Sequence, residues 1–163
     1  MTYQRFKNKV KHLPFLLSKD LMRMERIPQL MSNQLNRWQA KGLVVKLRRG
    51  IYLLNVHDRA FTPNRVFLAN HLFAPSYVSL EYALYFYGLI PEAVFTVTSL
   101  TTKKTAHFST PEGEFSYQHI KPAAFRGFRV TKDDKGLSYF MAEPEKAVAD
   151  FLYFNFHKIF TDR

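Results

Sequence analysis

Phe6 and Val10 stand four residues apart in an otherwise polar stretch, which predicts a short basic helix over residues 3–12, broken by Leu13-Pro14. Ser18 is suited to cap a second helix reaching about Met24, with Asp20 in the first turn where the helix dipole favours an acid. Pro28 fits the first turn of a third helix running to about Lys41, and Gly42 fits its left-handed stop. At about 100° per residue, Ile27, Leu30, Met31, Leu35 and Trp38 gather on one side and predict its core face. Gln34 interrupts that arc. The opposite side carries Gln29, Ser32, Asn33, Asn36 and Ala40, with Arg37 at its edge. Residues 43–54 then read as a β-hairpin of β-branched and aromatic residues. Gly50 can supply a positive φ at its turn, and Lys46, Arg48 and Arg49 lie at or near the tip. Two helices joined by a short connection and followed by a hairpin predict a winged helix-turn-helix over residues 1–54.

The pattern changes after a polar connection over residues 55–61. Thr62-Pro63 offers an N-cap and first-turn proline for a helix to about Phe73, and Ser79 caps a further helix over residues 80–87 that Gly88 ends. Within it Leu80, Ala83, Leu84 and Tyr87 share one side, leaving Tyr82 and Tyr85 for sheet packing or an interface. Alternating runs at residues 95–100, 105–109, 114–120, 128–131 and 137–141, separated by Pro111-Glu112-Gly113 and Asp133-Asp134-Lys135-Gly136, predict an antiparallel sheet. Pro144 opens a last helix with Glu143 and Glu145 at its favourable dipole end. The fold class expected is α+β: a winged helix-turn-helix domain at 1–54, then a mixed helix and antiparallel-sheet domain at 62–163.

Charge separates the two halves. Of a net +11, residues 1–54 hold twelve Lys/Arg against two acids, Asp20 and Glu25, so the rest of the chain is close to neutral. A field concentrated in one small domain suits a polyanionic partner, and duplex DNA in particular. Asn and Gln pair bidentately with adenine and Arg with guanine, so Gln29, Ser32, Asn33, Asn36 and Arg37 form the candidate base-reading face. Lys46, Arg48 and Arg49 suit phosphate contacts or minor-groove insertion, and Ser18 with Lys19 at the start of the second helix completes the candidate set. The alternative is a protein-interaction module that uses the same elements without sequence-specific DNA binding.

Other chemistries find little support. The chain has no cysteine, which excludes disulfides, thiolate metal sites and cysteine nucleophiles. Its six histidines show no metal-binding pairing with an acid at helical spacing, Glu112, Glu114, Asp133 and Asp134 belong to turns, and neither a P-loop nor a nucleophile elbow is present. No enzyme activity, catalytic residue, metal or cofactor is expected. No apolar run approaches the roughly 20 residues that cross a bilayer, and residues 1–7 lack the apolar stretch of a secretion signal, so the expected location is the cytoplasm with no membrane partner.

Several fragments, in order, resemble the AbiEi-type antitoxins of bacterial type IV toxin-antitoxin (abortive infection) systems. They are Leu35-Asn36-Arg37-Trp38-Gln39-Ala40-Lys41-Gly42 running into Lys46-Leu47-Arg48-Arg49-Gly50-Ile51-Tyr52, Tyr77-Val78-Ser79-Leu80-Glu81-Tyr82-Ala83-Leu84, and Tyr87-Gly88-Leu89-Ile90-Pro91-Glu92. Thr98-Ser99-Leu100-Thr101-Thr102-Lys103-Lys104 and the stretch from Ala142-Glu143-Pro144-Glu145-Lys146-Ala147 to Asp150 complete the set. The resemblance implies a repressor that binds repeats in its own promoter and whose C-terminal region counters a separately encoded nucleotidyltransferase-like toxin; since repressors commonly read paired half-sites, a homodimer is a further expectation. Beside that family the chain reads as short: the apolar run Phe151-Leu152-Tyr153-Phe154-Asn155-Phe156 ends seven residues before Arg163. Such a helix implies more chain, or cover from this domain or a second subunit.

Overall fold

Thr2 caps the first helix, α1 (Tyr3–Val10), its hydroxyl accepting from the Arg5 amide at 3.3 Å, and Phe6 and Val10 are buried as their spacing predicts. In the computed structural model, which describes residues 1–161, the chain divides into two compact units. One comprises residues 1–63 with 110–112; the other comprises the remainder.

The first unit continues with β1 (Leu16–Leu17), α2 (Ser18–Leu21), a 3₁₀ turn at Met22–Met24, α3 (Pro28–Ala40), β2 (Val44–Arg48) and β3 (Ile51–Leu54). Its sheet has the order β1-β3-β2 and is antiparallel throughout. Phe6, Val10, Leu16, Leu21, Met31, Leu35, Trp38, Val44 and Leu54 form one core. Three expectations need correction. Ser18 is not a cap: Leu17 holds the N-cap position without a side-chain bond, and the Ser18 amide instead donates to the Gly50 carbonyl at 2.9 Å. The second helix is short because its last residues tighten into the 3₁₀ turn. Ile27 and Leu30 are not core: they are 56% and 50% exposed, and the buried face of α3 begins only at Met31. The reason is geometric. Ile27 has extended backbone, φ −115°, and so sits off the helical wheel, while Leu30 lies roughly 100° from the centre of the Met31, Leu35 and Trp38 face.

The second unit holds α4 (Arg65–Leu72), β4 (Ser76–Val78), α5 (Leu80–Phe86), β5 (Val97–Thr101), β6 (Ala106–Thr110), β7 (Gly113–His119), a 3₁₀ turn at Pro122–Ala124, β8 (Phe128–Lys132), β9 (Ser138–Ala142) and α6 (Pro144–Thr161). The α+β class stands, but the sheet is mixed and not antiparallel throughout. Its order is β6-β7-β5-β4-β9-β8, with β5 parallel to β7 and β4 parallel to β9. The two parallel pairings join the edge pairs to the central strands. β6 and β8 take the outer positions, and their partners β7 and β9 run parallel to the central strands they meet. β4 was absent from the sequence reading; it pairs antiparallel with β5. The cap of α4 is Asn64 and not Thr62, its side chain accepting from the Phe67 amide at 2.7 Å. Ser79 holds the N-cap position of α5 but makes no capping bond, because its hydroxyl is used elsewhere. Among the described residues no helix is long and apolar enough to cross a membrane.

Candidate nucleic-acid interface

Helix α3 is held from one side by aromatic packing. Trp38 lies 4.6 Å from Phe6 and 5.5 Å from Tyr3, ring centre to ring centre, the second contact edge-on. Such pairs add directional preference to burial and fix the rotation of the helix about its axis. Gln34, the polar interruption in the apolar arc, has a use here: its Nε2 donates to the Met1 carbonyl at 3.0 Å. The Met1 amine in turn pairs with Glu25 at 3.0 Å, so the chain start is bound to the segment before α3 and to α3 itself.

A second cluster joins α1 to the hairpin's base. The Tyr3 hydroxyl donates to Asp58 at 2.7 Å and is 3.1 Å from the Leu43 carbonyl, while Lys7 and Asn55 reach Asp58 at 2.9 and 2.8 Å. Hydrogen bonds from Tyr3 and then Lys7 hold the Asp58 carboxyl below the usual carboxylate range. Burial, and then the hydrogen bond to Asp58, push the Tyr3 phenol up, so it serves as a donor at every physiological pH. Sequence reasoning missed this cluster. Asp58 stands beyond the hairpin, 55 positions from Tyr3, and no local spacing links the two.

With those contacts set, the outward face of α3 is open. Gln29, Asn33, Asn36 and Arg37 are exposed and Ser32 is half-buried. Gln29 Nε2 donates to Asn33 Oδ1 at 3.0 Å, one helical turn away. Gly42, at φ +70°, then turns the chain so that Leu43 N–H reaches the Trp38 carbonyl at 2.9 Å and β2 starts directly.

The hairpin closes at Arg49-Gly50, where Arg48 pairs with Ile51 and Gly50 adopts φ +86°. The register shifts between Lys46 and Arg48, so Leu47 turns into the core and is 4% exposed. Lys46 and Arg49 are exposed and Arg48 is half-buried. The bond from Ser18 to Gly50 seats the start of α2 under this turn, which places exposed Lys19 next to it in sequence. The candidate residues therefore fall into two groups. Gln29, Ser32, Asn33, Asn36 and Arg37 lie along α3, and Ser18, Lys19, Lys46, Arg48 and Arg49 lie around the hairpin turn.

Sequence reasoning also missed a polar network in the second unit. Asp150 is 3% exposed and accepts from Ser79 Oγ at 2.8 Å and Tyr77 Oη at 3.0 Å, and it pairs with Lys146 at 2.9 Å. Lys146 also donates to the Ala124 carbonyl at 3.0 Å. The signal for it was an acid set among Ala147, Val148, Ala149, Phe151 and Leu152, four residues after a lysine. Every one of these groups is satisfied by another, which marks the network as a fastening of α6 to β4. Among the described residues, no group of three or more metal-ligating side chains converges. In comparisons with known proteins, no family model matches the chain, and no curated protein sequence matches it at a significant level.

Proposed function

We propose that the chain is a non-enzymatic, DNA-binding transcription regulator whose first unit works as a winged helix-turn-helix: α2 and α3 form the helix pair and β2–β3 the wing. The observation that carries this reading is the outward face of α3, where Gln29, Asn33, Asn36 and Arg37 stand exposed at helical spacing. Exposed amides and a guanidinium are the groups that read base edges in the major groove, and Lys46 and Arg49 at the wing turn suit the backbone phosphates. The surrounding charge agrees, because Glu25 is occupied by the chain's own amine and Asp20 lies 3.7 Å from Arg23.

A narrower proposal rests on the fragments that resemble AbiEi-type antitoxins. It makes the protein the cytoplasmic antitoxin of a type IV system that represses its own promoter as a homodimer on paired repeats and counters a nucleotidyltransferase-like toxin. Footprinting of the purified chain on its own promoter tests the broader reading. Protection of a repeated site that weakens steeply with salt supports it, and equal competition by unrelated duplex defeats it. Co-expression with a nucleotidyltransferase-like toxin encoded beside it tests the narrower one, with restored growth as the expected result. The exposed Ile27 and Leu30 favour one rival, a winged helix that binds protein through an apolar patch.

A further inference from the structure

We infer that Ile27 and Leu30 contact thymine methyl groups, so that the first turn of α3 selects A·T base pairs. The inference rests on the DNA-binding reading and names what its recognition helix would recognise. Both side chains are at least half exposed although they are large and aliphatic, while Met31, Leu35 and Trp38 fill the core on the other side of the helix. They flank Gln29 at the N-terminal end of α3, the end that a helix-turn-helix presents to base edges. Leu30 also precedes Asn33 by three residues and Arg37 by seven, so the three share one stripe.

The neighbouring polar groups complete the pattern. Since Gln29 Nε2 is bonded to Asn33 Oδ1, the pair keeps Gln29 Oε1 as an acceptor and Asn33 Nδ2 as a donor, side by side. That is the complement of adenine, whose major-groove edge offers an N6 donor and an N7 acceptor. The thymine opposite adenine carries its 5-methyl group in the same groove. An aliphatic side chain beside a donor-acceptor amide pair can therefore cover both halves of one A·T pair or of adjacent ones. The exposed Arg26 immediately before Ile27 adds a cation for the flanking phosphates.

The test begins with selection of a preferred site from a random duplex pool by the full chain at fixed salt. Each thymine of that site is then replaced singly by uracil, which removes only the methyl group, and affinity is read by fluorescence anisotropy. One or two positions should lose about fourfold, the effect of one buried methyl. In Leu30→Ala or Ile27→Ala the same uracil should cost nothing further, while thermal melts stay at the parental value because both side chains are exposed. Silent uracils overturn the inference and return the patch to a protein partner. Uracil losses of equal size in the parent and both variants overturn it as well. A pool that never enriches overturns the DNA-binding reading, and this inference with it.

Discussion

Both units fasten a helix through a buried or half-buried acid, but the first carries most of the chain's positive excess. In the first, Asp58 is held by Tyr3, Lys7 and Asn55, and Glu25 by the chain's own amine, while Lys19, Arg37, Lys46 and Arg49 lie at the surface. In the second, Lys146 and Asp150 form a pair inside the fold, with Tyr77 and Ser79 completing it. Ion pairs thus fasten a helix in both units, while the excess cations of the first stay at its surface. Because each internal ion pair is neutral, setting aside Lys7–Asp58 and Lys146–Asp150 leaves the positive excess of the first unit intact.

The sharpest way to break this contrast is to remove Asp150. Asp150→Ala leaves two buried hydroxyls without their acceptor and Lys146 with only the Ala124 carbonyl, and deletion of one member of a buried pair typically costs about 3–5 kcal/mol. Chemical denaturation of the full chain should show a loss of that size. Asp150→Asn should lose less, because the amide oxygen can still accept from Ser79 and Tyr77. A loss below about 1 kcal/mol for the alanine variant would mean that α6 is held by apolar packing alone.

Asp58 offers the corresponding test in the first unit. Its carboxyl is held below its unfolded value, so it adds stability that is fully present above about pH 4, the ordinary carboxylate value, and is lost as the pH falls through the lower folded one. Asp58→Asn should cost about 2 kcal/mol at neutral pH, in the range for hydrogen bonds to a charged group. Its stability should also fall less steeply below pH 4 than the parent's. Denaturant midpoints across the acid range measure both effects, and parallel acid limbs would remove Asp58 from the account.

A third variant probes the outward field. Lys46→Ala combined with Arg49→Ala should weaken DNA binding about tenfold on every sequence and lower the salt slope by about two, as expected for two lost phosphate contacts. Anisotropy titrations over a range of salt decide it. A loss confined to one sequence would give these residues a base-reading role.

What could be read from the sequence follows the range of the interactions. α3, its Pro28 start, its Gly42 stop and the hairpin with Gly50 were legible because each depends on neighbours a few residues away. So were the amides of the outward face, which follow from helical period alone. Contacts between distant segments were not. β1 is two residues long and exists only by pairing with β3, and β4 is three residues long between two other strands. Ser79 has the residue type and position of a cap, yet Asp150, 71 residues away, takes its hydroxyl. Ile27 and Leu30 failed for a different reason. The wheel assigns residues to sides, but cannot tell where along the helix the core begins.

The smallest effects come from two glycines that share one backbone requirement. Gly50 in the hairpin turn has φ +86° and Gly88 at the end of α5 has φ +69°. A Cβ at Gly88 would meet open space, and one at Gly50 would sit 3.4 Å from Ser18 Oγ, an ordinary contact. Alanine at either site therefore pays chiefly for left-handed backbone, about 1 kcal/mol or slightly more. Thermal unfolding should register similar losses for the two variants. Their effects on DNA should differ, because the Gly50 turn carries Arg49 and receives the Ser18 amide, whereas Gly88 ends a helix in the unit that holds little of the chain's excess positive charge. Gly50→Ala should weaken binding by a few-fold and Gly88→Ala should leave it unchanged. If both variants bind equally poorly, affinity tracks the stability of the whole chain and the contrast between the units no longer explains recognition.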